Sequence, residues 1–183
     1  MDNDLLVRLD RLESREAIRQ LAAEYARLID AKDLAAVADL FVEDVKVGDE
    51  SGREAKHRAF RANHGREGRF RRTIHLVSGH SIDLNPSDSD LATGTVYCRA
   101  EHEFGDLWVI AVIQYWDTYA RRGGTWLFED RVIQTFYVTD VLERPNGVAI
   151  KHVVTNTGAA TVATLPQAWP SWEPFCRAEG IKP

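Results

Sequence analysis

A chain of 183 residues, 44% hydrophobic and 28% charged, has the composition of one globular domain rather than of a disordered protein. It is long enough to bury a core and still enclose a pocket. The net charge of −5 gives no electrostatic reason to expect a nucleic-acid partner. The longest uncharged apolar run, Leu107–Tyr115, is too short to span a bilayer, and Met1–Leu12 lacks a signal peptide's apolar core. Neither membrane nor nucleic acid is therefore expected as a partner. Cys98 and Cys176 match no metal spacing or redox pair, so a reducing, cytoplasmic setting is the expectation.

Ser14 followed by Ile18, Leu21, Ala22, Tyr25, Leu28 and Ile29 has the period of an amphipathic helix. Leu5, Leu9 and Leu12 extend an apolar stripe before it, read as a separate short helix. The run Leu28-Ile29-Asp30-Ala31-Lys32-Asp33 is a helix end and a new start, with Asp33 as N-cap of a second helix over Leu34–Phe41. A short strand is expected at Val45–Val47. Residues 49–72 hold eight Arg or Lys against four acids and read as one short helix plus a basic loop. A charge run of this kind is ordinarily a solvated connecting face, although it would also suit substrate entry.

From Thr73 onward the pattern turns to strands. Ile74–Leu84 ends at the turn cluster Asn85-Pro86-Ser87-Asp88, and Leu91–Phe104 closes at Gly105-Asp106. Leu107–Arg121 and Trp126–Val141 are long strands joined by the hairpin signal Arg122-Gly123-Gly124-Thr125. Helices first and strands after describe a segregated α+β fold with a curved antiparallel sheet. The tail to Pro183 carries Trp169, Pro170, Trp172, Pro174 and Phe175, which suits packing over a pocket mouth or a neighbouring subunit.

There is no glycine-rich phosphate loop, no dinucleotide fingerprint and no nucleophile elbow. No His or Cys cluster has zinc spacing. Cofactor-free acid–base chemistry, or no chemistry, is what remains. By strand alternation His75 points to the face opposite Ile74 and Leu76, while Asp30 closes an otherwise apolar helix end. A carboxylate beside an imidazole would fix its tautomer and stabilise its protonated form. Spacing alone leaves the ordinary reading open, in which His75 is a satisfied strand histidine and Asp30 a helix-end cap. Arg131 suits either an anionic leaving group or substrate oxygen, or an ion pair with Asp117 or Glu129 on the sheet surface. His80, five residues after His75, falls on the opposite strand face if no bulge intervenes, and reads as structural.

The segment Arg15-Glu16-Ala17-Ile18-Arg19-Gln20-Leu21, then Tyr25, Asp30, Asp33 and Leu40-Phe41, resembles the opening of the SnoaL-like family within the nuclear-transport-factor-2-like superfamily. Ile74-His75-Leu76 and Tyr119–Trp126 fit the same pattern, and the resemblance spans residues 8 to 141. It implies a cone-shaped α+β barrel over residues 1–144, N-terminal helices packed on a strongly curved antiparallel sheet that encloses a pocket, with 145–183 as a separate tail. Within the family the pattern is most similar to hexachlorocyclohexane dehydrochlorinase and bile-acid 7α-dehydratase, and more distantly to scytalone dehydratase. These are cofactor-free eliminating enzymes with a helix-end Asp and a strand His.

What the resemblance implies for this chain is a cofactor-independent lyase, a dehydratase or similar, acting on a hydrophobic steroid-, alicyclic- or polyketide-like ring. His75 would be the base, Asp30 its orienting partner and Tyr25 an assistant to the departing oxygen or enolate, with Arg131 a substrate-binding residue. The alternatives are a non-catalytic accessory subunit of the same fold, or a proton-shuttling isomerase or cyclase. A homo-oligomer that buries the outer sheet face is expected, and the resemblance favours a trimer.

Overall fold

The computed structural model describes residues 3–64, 70–142, 164–165 and 167–180. Helix α1 runs unbroken over Asn3–Ala31. Leu5, Leu9 and Leu12 are thus its first turns and not a separate helix, and all three are exposed. The helix buries Ser14, Ile18, Leu21, Ala22, Tyr25, Ala26, Leu28 and Ile29, the single face that three- and four-residue spacing builds. It ends at Lys32, whose φ of 62° turns the chain. The amides of Lys32 and Asp33 reach back to the carbonyls of Ile29 and Leu28, each at 3.1 Å. Asp33 then caps α2 (Leu34–Asp39) by accepting from the Ala36 amide at 3.2 Å.

Past α2 the chain makes an isolated bridge from Phe41 to Phe128, which ties the helical layer to the sheet. Strands β1 (Lys46–Val47) and β2 (Glu50–Ser51) form a two-stranded ribbon. Helix α3 (Arg53–His64) follows and buries only Ala55 and Phe60. The basic loop expected after it lies mostly at 65–69, outside the described residues.

The main sheet is an antiparallel meander in chain order: β3 (Thr73–Leu84), β4 (Leu91–Phe104), β5 (Leu107–Arg122) and β6 (Thr125–Asp140). Its helix-facing side on β4 carries Ala92, Gly94, Val96, Cys98, Ala100 and His102, a mostly small-residue row with room for larger neighbours. Gly94 is required there, because a Cβ would come within 2.6 Å of the Ser81 carbonyl oxygen. Tyr25, Phe41, Phe60, Tyr115 and Phe128 meet edge-on or tilted under the helices, with centroids 5.1–6.4 Å apart.

The opposite face of the sheet leaves Ile74, Leu76, Tyr97 and Val132 exposed. Part of it is covered by Trp169, whose indole packs edge-on to Phe136 and donates to Gln114 at 3.2 Å. Helix α4 (Trp172–Glu179) comes after that contact. Residues 143–163 of the expected tail lie outside the described residues. Cys98 and Cys176 are free and buried. No helix among the described residues is long and apolar enough to cross a membrane.

Candidate active site

The last turn of α1 faces the start of β3, and the site begins where they meet. Alternation along β3 turns Thr73 and His75 to the helix side while Ile74 and Leu76 face outward. Asp30 then takes three donors: the Thr73 hydroxyl at 2.8 Å, the His75 backbone amide at 2.9 Å and the His75 ring Nδ1 at 2.7 Å. Burial raises the Asp30 carboxyl, but the ring, amide and hydroxyl donors outweigh it and hold the group below its usual value. An ionised carboxylate only accepts, so Nδ1 carries a proton, and whenever the ring is neutral the lone pair is on Nε2. The His75 side chain is 7% exposed and that of Asp30 27%, so the pair sits at the boundary between core and solvent.

The surroundings of this pair are more polar than an apolar ring pocket suggests. Lys32, half-buried, donates from Nζ to the Thr73 oxygen at 2.9 Å. His102 stands edge-on to His75, with centroids 5.5 Å apart and planes at 82°. Phe70 packs between His102 and His64, at 4.5 and 5.5 Å. Burial, reinforced by neighbouring positive groups, lowers His102 to about 3 and His64 to about 4, so both are neutral at pH 7. Sequence reasoning singled out none of Lys32, Thr73 or His102. A signal existed for the last two: Thr73 is two residues before His75, and His102 continues the buried alternation of Val96, Cys98 and Ala100.

A second polar cluster lies deeper in the same interior. Arg131 makes a two-pronged pair with Asp117, Nε to Oδ1 and Nη2 to Oδ2, both at 2.7 Å, with side chains 3% and 0% exposed. This corrects the expectation of a pair on the sheet surface, since Asp117 and Arg131 are register partners on the helix-facing side. The guanidinium lies 4.1–4.3 Å from the ring centroids of Tyr25, Tyr115 and Phe128, and among the described residues its buried Nη1 has no hydrogen-bond partner. Burial opposes its charge, but the bonds and charge of Asp117 outweigh this and leave it above the ordinary guanidinium value.

Tyr25 belongs to this cluster. Burial pushes its phenol up against the pull of Arg131. No hydrogen bond joins it to Asp30 or His75 among the described residues. The structure thus brings His75 to Asp30 and Tyr25 to Arg131, as two separate pairs.

His80 also departs from expectation. The β3–β4 register shifts between Ser78 and Ser81, at Gly79 with φ +52°, and the bulge turns His80 to the helix side. Its Nε2 lies 3.1 Å from the Tyr119 hydroxyl, which donates to Asp117 at 2.7 Å. With that proton committed, His80 must be the donor to Tyr119. Among the described residues no group of three His, Cys, Asp or Glu is placed to hold a metal ion.

Helices laid against an antiparallel four-stranded sheet, with polar pairs set into an apolar interior, define a cone-like α+β protein of the nuclear-transport-factor-2-like fold. The chain belongs to the SnoaL-like domain family, whose profile matches residues 10–132, more than half its length. Among solved structures it is similar to a candidate scytalone dehydratase from Novosphingobium aromaticivorans. That match has 26% identity and a TM-score of 0.62, and covers 74% of this chain and 93% of the other. The hexachlorocyclohexane dehydrochlorinase LinA-type3 from Novosphingobium barchaimii shares the fold at 22% identity and a TM-score of 0.63, over 73% of this chain and 94% of its own. A candidate aromatic ring hydroxylase from Novosphingobium aromaticivorans does so at 20% identity and 0.60, over 72% and 95%. A search of curated proteins gives no sequence match.

Proposed function

We propose that this chain is a cofactor-independent lyase that eliminates water or halide from a hydrophobic ring compound, with His75 as the base. The observation that carries the reading is the 2.7 Å contact between His75 Nδ1 and Asp30, which leaves Nε2 free to accept a proton. His75 removes a proton from the carbon next to the leaving group, and the electron pair of that C–H bond becomes the new double bond. Asp30 keeps the tautomer and stabilises the imidazolium as it forms. Tyr25, protonated and buried, donates toward the departing oxygen or an enolate, with the Arg131 guanidinium packed against its ring. The dehydratase and dehydrochlorinase names among the structural neighbours support elimination as the reaction class. The exposed Ile74, Leu76, Tyr97 and Val132 support a homo-oligomer through the outer sheet face, with a trimer expected.

The test is to incubate the purified protein with hydroxylated and halogenated alicyclic, steroid and polyketide-like rings and follow alkene formation by mass spectrometry. Against any substrate found, His75→Ala and Asp30→Asn should each lower turnover by about two to four orders of magnitude. The double variant should be scarcely worse than either, since the pair works as a unit. Folded variants with undiminished turnover would sink the mechanism. Variants that lose ligand binding, in a protein that turns nothing over, would make it an accessory subunit. Light scattering checks the assembly, and a monomer at micromolar concentration counts against it.

A further inference from the structure

Lys32 occupies a position in which a side chain is a burden. Its φ of 62° is the left-handed conformation that a helix C-terminus usually fills with glycine. Its backbone contacts, the amide bonds to Ile29 and from Asp33 to Leu28, would serve a glycine equally well. The side chain does one visible thing: Nζ donates to Thr73 Oγ1 at 2.9 Å, and Thr73 Oγ1 is 2.8 Å from Asp30 Oδ1. An ammonium group has only donors, so the Thr73 oxygen must accept from Lys32 and send its own single proton to Asp30. The chain of bonds therefore has one direction, Lys32 to Thr73 to Asp30, and it meets the His75 ring proton at the same carboxylate oxygen.

We propose that Lys32 is a positioning residue for the Asp30–His75 pair, committing the Thr73 proton to Asp30 and thereby holding the carboxylate in the orientation that fixes His75 as the Nδ1–H tautomer. This rests on the reading of His75 as the base. The other groups facing His75 do not replace Lys32. His102 on β4 and His64 on α3 are both neutral, and Asp30 carries the opposing charge. Without the ammonium, the Thr73 hydroxyl is free to turn its proton elsewhere. Asp30 Oδ1 then loses its second donor, and the carboxylate can rotate away from the ring.

The experiment uses ¹⁵N shifts of the His75 ring in the full chain at neutral pH, with Lys32→Met, Lys32→Gly and Lys32→Arg. The wild-type ring should show a pyrrole-like Nδ1 and a pyridine-like Nε2. Met and Gly should both move the two signals toward each other as the tautomers mix, and Arg should keep them apart. Gly should at the same time raise the thermal midpoint, because it fits the left-handed turn, so stability and tautomer move in opposite directions. If a substrate is in hand, Met and Gly should lower kcat about tenfold with KM little changed, and Arg should restore most of it. Met and Gly variants with wild-type ring signals would overturn the proposal. A tautomer shift in a protein without any elimination activity would leave Lys32 as the positioning residue and refute the lyase reading, so the two failures are separable.

Discussion

Two polar pairs share one interior and differ in what surrounds them. The Asp30–His75 pair joins a helix end to a strand at the edge of the core, with Nδ1 of the ring turned to the carboxylate. The Asp117–Arg131 pair joins neighbouring strands, is sealed by three aromatic rings and is continued by Tyr119 and His80. Proton transfer needs a group that can change its charge and reach a substrate. A sealed guanidinium–carboxylate pair does neither, and its desolvated charges tie it to stability. The difference suggests that loss of the first pair will be read in turnover and loss of the second in folding.

The largest expected effect breaks the sealed pair. Asp117→Asn leaves an uncompensated guanidinium in the core, and Arg131→Met leaves an uncompensated carboxylate. Each should lower unfolding free energy by about 3–5 kcal/mol in denaturant titrations. The double variant Asp117→Leu/Arg131→Met should recover much of that, because both desolvated charges are gone. His75→Ala and Asp30→Asn should change stability far less. Equal destabilisation by all four single changes would collapse the comparison.

The same contrast decides how much could be read from sequence. The elements that carry Asp30 and His75 were legible because they keep regular periods, the α1 stripe to Ile29 and the β3 alternation from Thr73 to Val77, while the pairing itself was legible only through the family resemblance. The order of helices and strands was legible from the same periods. Periodicity could not place Arg131 or His80. A register shift between Ser78 and Ser81 turns His80 inward, and another between Thr118 and Tyr119 sets which β6 residues face the helices. Bulges reset the alternation on which strand reasoning depends. Nor could sequence show that α1 continues through Leu5, Leu9 and Leu12, since their exposed stripe lies off the buried face. Thr73 and Lys32 matter only through contact with Asp30, across a helix–strand distance that spacing does not encode.

A smaller effect concerns the ground between the pairs. Gly94 on β4 faces His80 and Tyr119, and a Cβ there would lie 2.6 Å from the Ser81 carbonyl oxygen and 3.1 Å from the Tyr119 ring. Gly94→Ala should therefore cost about 1–3 kcal/mol, since backbone must give way. The His80–Tyr119 bond should loosen with it, while the His75 ring signals stay in place. Movement of those signals would show the two pairs to be mechanically coupled.

Acid should separate the regions too. His64, His80 and His102 are held by burial at about 4, 4 and 3, below the ordinary 6.5. The unfolded chain binds protons at these residues below pH 6.5 while the folded chain does not. Stability is therefore fully present above pH 6.5 and falls as pH drops toward 3. Thermal midpoints should begin to decline just below pH 6.5, before the carboxylates are protonated. His102→Phe should flatten the decline, since it removes the most strongly depressed of the three while keeping a flat ring against Phe70. A decline of unchanged slope would mean that His102 is already protonated in the folded protein.

The smallest expected change falls on Tyr25, whose place in the comparison is contested between the two pairs. Its ring packs against Phe41, Phe60, Tyr115 and Phe128 and lies 4.3 Å from the Arg131 guanidinium carbon, all of which Phe would preserve. Tyr25→Phe removes only the hydroxyl, so the stability loss should stay within about 0.5–1.5 kcal/mol, the value of one hydrogen bond. Turnover then separates two roles. If the phenol donates to a departing oxygen, the variant should lose more rate on substrates that expel water than on those that expel halide, because hydroxide leaves poorly without a donor. An equal change for both kinds of substrate, matched by a loss of stability near the upper figure, would place Tyr25 wholly with Arg131 and Asp117 as part of the sealed cluster. Proton removal would then rest on the Asp30–His75 pair without help from the phenol.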